Sequence, residues 1–371
     1  MVKIFRIILI FLASNLIYSE NIESGKTVIA NESMVVTRHY LASEVGNEVL
    51  LAGGNAIDAS VAISFALSVV LPQASPIGGG GFMVVHEGET GKNFTIDYRE
   101  TAPEKASENM FIVDGVVDRS LALESYLSSG VPGTVYGLYI AHQKFGKLPW
   151  KELIEPAIKL AVEGFIISPT LANSLNTYKD KLAKTEDGKT IFFKNEQPLK
   201  SGDLLVQEDL GNTLTLISEK GPAGFYKGTT AQKIQKDMKL NGGLISSNDL
   251  RNYKAKFRKP IEFNYKDLSI ITMGPPSSGG LILALMFNML EHVELDRSNP
   301  HAIDNIHNIA EIMQIAFSIR SVHMADSDFY EVPYSEFLNK KKAELLSRRI
   351  SEDQTSSAVD FDPETFKFKE N

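Results

Sequence analysis

Residues 56–71 read Ala-Ile-Asp-Ala-Ser-Val-Ala-Ile-Ser-Phe-Ala-Leu-Ser-Val-Val-Leu and are ended by Pro72; Asp58 is the one charge among them. A helix that is apolar or small nearly all round has no face to offer to water, so it must be packed between other elements. It is also short for a comfortable membrane crossing once Asp58 is counted. The chain therefore has to build layers around this helix. Its 371 residues, 43% of them hydrophobic, are enough for one large domain or two ordinary ones. Strands and helices follow in runs rather than in strict alternation, which predicts layered α+β over a doubly wound sheet.

Glycine and proline punctuate the remainder. Residues 34–37 read as a strand, and a helix starts at Ser43 and stops at Gly53-Gly54. Residues 129–134 open a helix that closes at Gly146, and the next runs from about Trp150 to Val162 and stops at Gly164. The lysine-rich stretch 173–200 predicts a peripheral helical excursion. After Gly242-Gly243 comes a turn and a capped helix, with Ser247 or Asn248 as cap. Residues 261–265 and 268–273 predict paired strands. The loop Pro275-Pro276-Ser277-Ser278-Gly279-Gly280 then feeds a helix over 281–290, and helical patterning returns over 302–324. There is no internal repeat.

The chemistry gathers in residues 77–103. Four glycines, Gly78 to Gly81, lead into Phe82-Met83-Val84-Val85-His86, and a Gly-Glu-Thr-Gly connection leads on to Asp97-Tyr98-Arg99-Glu100. This pattern predicts a β-hairpin. It delivers Arg99 at a strand end beside a flexible loop, where a guanidinium offers a planar fork that fits the two oxygens of a carboxylate. Each part has a duller reading. Four glycines alone are more often a tight turn than a binding loop, and a lone arginine is more often a structural ion-pair partner. The run lacks the Lys-Ser/Thr of a phosphate loop, and no dinucleotide fingerprint is present. Ser277 and Ser278 lie outside any Gly-x-Ser-x-Gly elbow.

A net charge of −8 with both signs interspersed argues against a nucleic-acid partner. The chain has no cysteine, so disulfides and thiolate metal sites are excluded, and its seven histidines form no His-Glu-x-x-His pattern. No metal and no cofactor are expected. Lys3 and Arg6, an apolar run over 7–13 and polar Ser19-Glu20-Asn21 describe a secretory signal peptide over residues 1–19. The cleavage site Ile17-Tyr18-Ser19 is imperfect, and an uncleaved anchor is the alternative. Export without cysteines favours a bacterial envelope. The sequons at Asn31 and Asn93 bear on the argument only in a eukaryotic source.

Several blocks stand in a telling order: Leu51-Ala52-Gly53-Gly54-Asn55-Ala56-Ile57-Asp58-Ala59, the glycine run, Asp97-Tyr98-Arg99-Glu100-Thr101-Ala102-Pro103, Val131-Pro132-Gly133-Thr134, residues 242–253, Pro275 to Gly280, and Ala325-Asp326. In combination they resemble the large subunit of the γ-glutamyltranspeptidases (glutathione hydrolases), over about residues 35–332. The resemblance implies an N-terminal-nucleophile hydrolase with a four-layer αββα sandwich completed only with the small subunit. Such a proenzyme cuts itself in two. The new N-terminal threonine attacks a γ-glutamyl amide, its freed α-amine serving as base, and the resulting ester passes to water or to an amino acid. Carried over by motif, Arg99 holds the α-carboxylate of the glutamyl group.

The sequence departs from that pattern in one respect: no Thr-Thr-His-type start of a small subunit is present. On this reading residues 20–350 are the large-subunit domain. Residues 351–371 are then a mobile polar tail that ends at the processing junction, and no catalytic residue lies in the chain. The nucleophilic threonine is expected immediately after Asn371, so the chain alone should be inactive and poorly soluble. The expected partners are the small subunit and a γ-glutamyl compound such as glutathione. Two alternatives remain: a related cephalosporin acylase, and a truncated, non-catalytic chain that binds γ-glutamyl compounds or a full-length partner.

Overall fold

The computed structural model describes residues 27–351 and 354–356. The leader expected over 1–19 and most of the tail expected over 351–371 lie outside the described residues. The compact body of the fold starts at Thr37. The strand expected over 34–37 does not form, and Met34 and Val36 stay exposed. An apolar, β-branched run makes a strand only beside an edge that takes up its backbone groups, and no described strand pairs with this one.

The body opens with two helices, α1 (Tyr40–Leu51) and α2 (Ala56–Val70). Helix α2 is the buried helix the sequence demands: Val61, Ala62, Phe65, Ala66, Val69 and Val70 are fully enclosed. It packs against α1, α3 (Thr134–Phe145) and α4 (Trp150–Glu163), and α5 (Glu208–Lys220) backs α4. Its start is a capping box. Asn55 Oδ1 accepts from the Ile57 and Asp58 amides, and Asp58 accepts from the Asn55 amide. The stops at Gly146 and Gly164 fall where expected. Residues 173–200 are indeed a helical excursion, closed by a short hairpin at Phe193–Lys194 and Gln197–Pro198.

The predicted hairpin is β1 (Phe82–Glu87) with β2 (Lys92–Asp97), paired from Phe82↔Asp97 to Glu87↔Lys92. A third strand, β3 (Lys256–Arg258), lies on the other edge of β2 with Ile96↔Phe257 and Asp97↔Lys256 in register. One sheet face is apolar and lies on α3: Ile96 is fully buried, and Phe94 and Phe145 are 5.1 Å apart. The Lys144 ammonium sits over Phe94, Phe145 and Phe257 at 5.1–5.4 Å. Alternation sends Thr95, Asp97 and Arg258 to the other face.

Before β3 comes α6 (Ser247–Asn252), whose cap is Ser246, one residue earlier than expected. Asp249 decides the position, because its carboxylate reaches back to the Ser246 amide and hydroxyl. Strands β4 (Ile261–Tyr265) and β5 (Leu268–Thr272) pair as predicted. With α7 (Gly279–Leu290), α8 (Ile303–His323) and α9 (Lys340–Ser347) they enclose a second core around Leu281, Leu285, Ile315, Ile319 and Phe337. The α+β class is as expected.

Candidate anion-binding cleft

Arg99 lies two residues beyond the end of β2, and the surrounding glycines explain its placement. A side chain at Gly80 would run into the Tyr98 carbonyl and the Glu100 amide, so the loop can lie flat against residues 98–100 only without one. At Gly133 a Cβ would overlap both the Tyr98 carbonyl and the Tyr253 hydroxyl. The Gly133 and Thr134 amides both donate to the Gly79 carbonyl, and Thr101 and Val131 exchange two backbone bonds. The glycine run is thus a packing surface that fixes residues 98–101. Tyr98 is wedged among these glycines, and burial pushes its phenol up to about 12.

The side chain of Arg99 enters an open cleft of about 440 Å³. Glu100 and Thr101 line it too, as do Pro276, Ser277 and Ser278 from the loop before α7. Ala325 and Asp326, just after α8, complete this part of the lining. Three blocks that are far apart in sequence meet here. Among the described residues no carboxylate pairs with Arg99. Ser278 Oγ accepts from Arg320 Nε at 2.8 Å, Ser277 Oγ accepts from the Gly279 amide, and Asp326 Oδ1 accepts from the Asp328 amide. These groups serve structural bonds, while the Arg99 fork is free for an anion.

The structural ion-pair arginine is another residue, Arg258. Its Nε donates to Asp97 Oδ2 at 2.7 Å, and its two terminal nitrogens donate to Asp328 at 2.9 and 2.8 Å. Lys256 adds a bond to Asp328 at 2.6 Å. The Arg258 bonds, and then those of Lys256, hold the Asp328 carboxyl well below the usual carboxylate range. Asp328 and then Asp97 push the Arg258 guanidinium up, against the effect of burial. Sequence reading missed Arg258 and Asp328 because β3 is only three residues long. The one available signal was the Lys-Phe-Arg alternation, which places a cation on the polar side of a strand.

The sequence family described as Gamma-glutamyltranspeptidase matches residues 42–370. The chain belongs to the γ-glutamyltranspeptidase family. It is similar to the glutathione hydrolase proenzyme of Escherichia coli (strain K12), 40% identical over 338 residues, which are 91% of this chain and 58% of that protein. It is also similar to the crystal structure of Helicobacter pylori γ-glutamyltranspeptidase, with a TM-score of 0.90 and 42% identity, covering 93% of this chain and 99% of that one. Acylase ACY 1 proenzyme of Pseudomonas sp. (strain V22) is 36% identical over 340 residues, 90% of this chain and 61% of that protein. The chain thus spans less than two-thirds of the length of these curated relatives. Its fold is that of the N-terminal-nucleophile hydrolases.

Proposed function

We propose that this chain is the large subunit, and the donor-binding half, of a γ-glutamyltranspeptidase that acts on γ-glutamyl amides such as glutathione. Arg99 takes the α-carboxylate of the γ-glutamyl group. The γ-carbonyl is attacked by a threonine of the small subunit, and the γ-glutamyl ester passes to water or to an acceptor amine. The observation that carries this reading is an unpaired guanidinium in a cleft built by the family's own sequence blocks. Anchoring one end of the donor fixes the distance of its carbonyl from the nucleophile, which is a large part of what such an enzyme supplies.

A small-subunit partner is supported by the surface of α8. Ile306, Ile309, Met313 and Phe317 recur at helical spacing and are 41–58% exposed, an apolar stripe that a partner chain would cover. Export is supported by the basic, apolar and polar order of the first residues. No helix among the described residues is long and apolar enough to cross a membrane. We assign residues 1–19 to the signal peptide, 20–350 to the large-subunit domain and 351–371 to the junction tail.

The test is steady-state kinetics of the complete enzyme with Arg99→Lys. The charge stays and the fork is lost, so about 2–5 kcal/mol of transition-state binding should go, at least about 30-fold in kcat/KM. Near-wild-type turnover would overturn the reading. The similarity to an acylase proenzyme favours one second reading, hydrolysis of other acyl amides such as cephalosporin side chains. Competitive inhibition by L-glutamate is expected of the first reading and not of the second.

A further inference from the structure

Tyr253 is almost wholly buried, yet its hydroxyl reaches a single atom at the cleft wall: it donates to the backbone carbonyl of Arg99 at 2.9 Å. On the other side, the Arg99 amide donates to Asp97 Oδ1 at 3.0 Å. Both peptide groups that flank Arg99 are therefore held by side chains, at a place where no ladder continues. The arrangement is backed at each end. Asp97 is gripped by Arg258. The Tyr253 ring stacks on the Tyr226 ring at 5.7 Å and 4°. The slot for the Tyr253 hydroxyl exists because residue 133 has no side chain. Burial, with Asp97 and Glu100 nearby, also keeps this phenol protonated and hence a donor.

A hydroxyl enclosed this way could have been met by any nearby carbonyl. Its use on Arg99, opposite a carboxylate on the same residue's amide, fixes the main-chain direction from which the free guanidinium enters the cleft. We infer that Tyr253 is a positioning residue for Arg99: it acts through the Arg99 backbone to set affinity and selectivity for donors bearing an α-carboxylate. This inference rests on the reading of Arg99 as the carboxylate anchor. What Tyr253 supplies is preorganisation: an arginine side chain carries much rotamer freedom, and a fixed root reduces what binding must still order.

The experiment uses the complete enzyme as its host makes it. It compares Tyr253→Phe, which keeps the stack and loses the hydroxyl, with Tyr226→Phe, which loses a hydroxyl of the same tyrosine cluster that does not touch Arg99. The readouts are KM and kcat for a γ-glutamyl anilide, and inhibition constants for L-glutamate and for 4-aminobutyrate, the same acid without its α-carboxylate. Tyr253→Phe should raise KM and the L-glutamate constant about fivefold, the scale of one net hydrogen bond, and leave 4-aminobutyrate unchanged. kcat should change less than KM, and Tyr226→Phe should leave the ratio of the two inhibition constants unmoved. An unchanged ratio in Tyr253→Phe would overturn the inference, even if thermal stability fell. Asp97→Ala, which removes the acceptor of the Arg99 amide that an asparagine would keep, gives a second reading from the opposite peptide group and should move the ratio in the same direction should Tyr253→Phe fail to fold; no movement there counts against the inference too. Arg99→Gln separates the two ideas. If it abolishes the preference for L-glutamate while Tyr253→Phe does not, the anchor stands and the positioning role falls. If it leaves the preference intact, the anchor falls as well.

Discussion

Arg258 Nε lies 2.7 Å from Asp97 Oδ2, with the two side chains only 15% and 9% exposed. The same guanidinium grips Asp328 through its other two nitrogens, so one cation bridges the end of β2 and the turn after α8. Arg258→Met leaves Asp97 without its counter-charge and Asp328 with Lys256 alone. Removing one partner of an enclosed pair costs about 3 kcal/mol or more. Urea unfolding should show that loss, and Arg258→Lys should recover only part of it, because an ammonium cannot fork to both acids.

The pH dependence of this network has a definite sign. The folded pKa of Asp328 is depressed, chiefly by the Arg258 bonds and then by Lys256, relative to about 4 in an unfolded chain. Its contribution is therefore fully present above about pH 4 and is lost as the pH falls through the folded value. Asp328→Asn forfeits that contribution, about 1 kcal/mol for a carboxylate still 30% exposed. Melting curves should separate wild type from variant at pH 7 and draw steadily together as the pH falls from about 4 toward the folded value. A constant gap across that range would count against the assignment.

His39 works in the opposite chemical direction. Its ring stacks on Tyr40 at 5.1 Å and meets Phe165 edge-on at 6.1 Å, and both ring nitrogens are buried without a hydrogen bond. Burial lowers its pKa from 6.5. The folded state then binds fewer protons than the unfolded one, so this stability is present above about pH 6.5 and is lost as the pH falls below it. His39→Phe keeps the aromatic packing and removes the unpaired nitrogens. It should gain about 1 kcal/mol at pH 5 and flatten the acid side of the stability profile, read by thermal melts from pH 5 to 8.

The parts of the fold that were legible in the sequence are those where one local rule acts alone. Residues 56–71 could only be a buried helix, and Gly146 and Gly164 could only be stops. The hairpin from Phe82 to Asp97 followed from period-two alternation, and the position of Arg99 followed from it. The failures have a common cause as well. Residues 34–37 are apolar and β-branched, as a strand favours, but whether a strand forms depends on an edge elsewhere. Strand β3 is too short for a period to show, so Arg258 and Asp328 stayed out of the candidate site. That Tyr253 meets Arg99 depends on tertiary approach across 154 positions, which no local pattern encodes.

Asp58 shows how a signature block can be structural. It is fully buried, and its carboxylate accepts from the amides of Asn55 and Lys147 at 3.0–3.1 Å and from Leu148 at 3.4 Å. Asn55 Nδ2 returns a bond to the Phe145 carbonyl at 2.6 Å. The start of α2 is thereby tied to the turn that follows α3. Asp58→Asn keeps the shape but turns a donor NH2 toward amides that need an acceptor. One Oδ1 can still serve Lys147, so the expected loss is about 2 kcal/mol. Asp58→Ala leaves several enclosed amides unmet and should cost more, about 3–4 kcal/mol. Denaturant unfolding with an unchanged m-value would place the effect in the folded state. If Asp58→Asn instead matched wild type, these bonds would contribute little and the block would need another explanation.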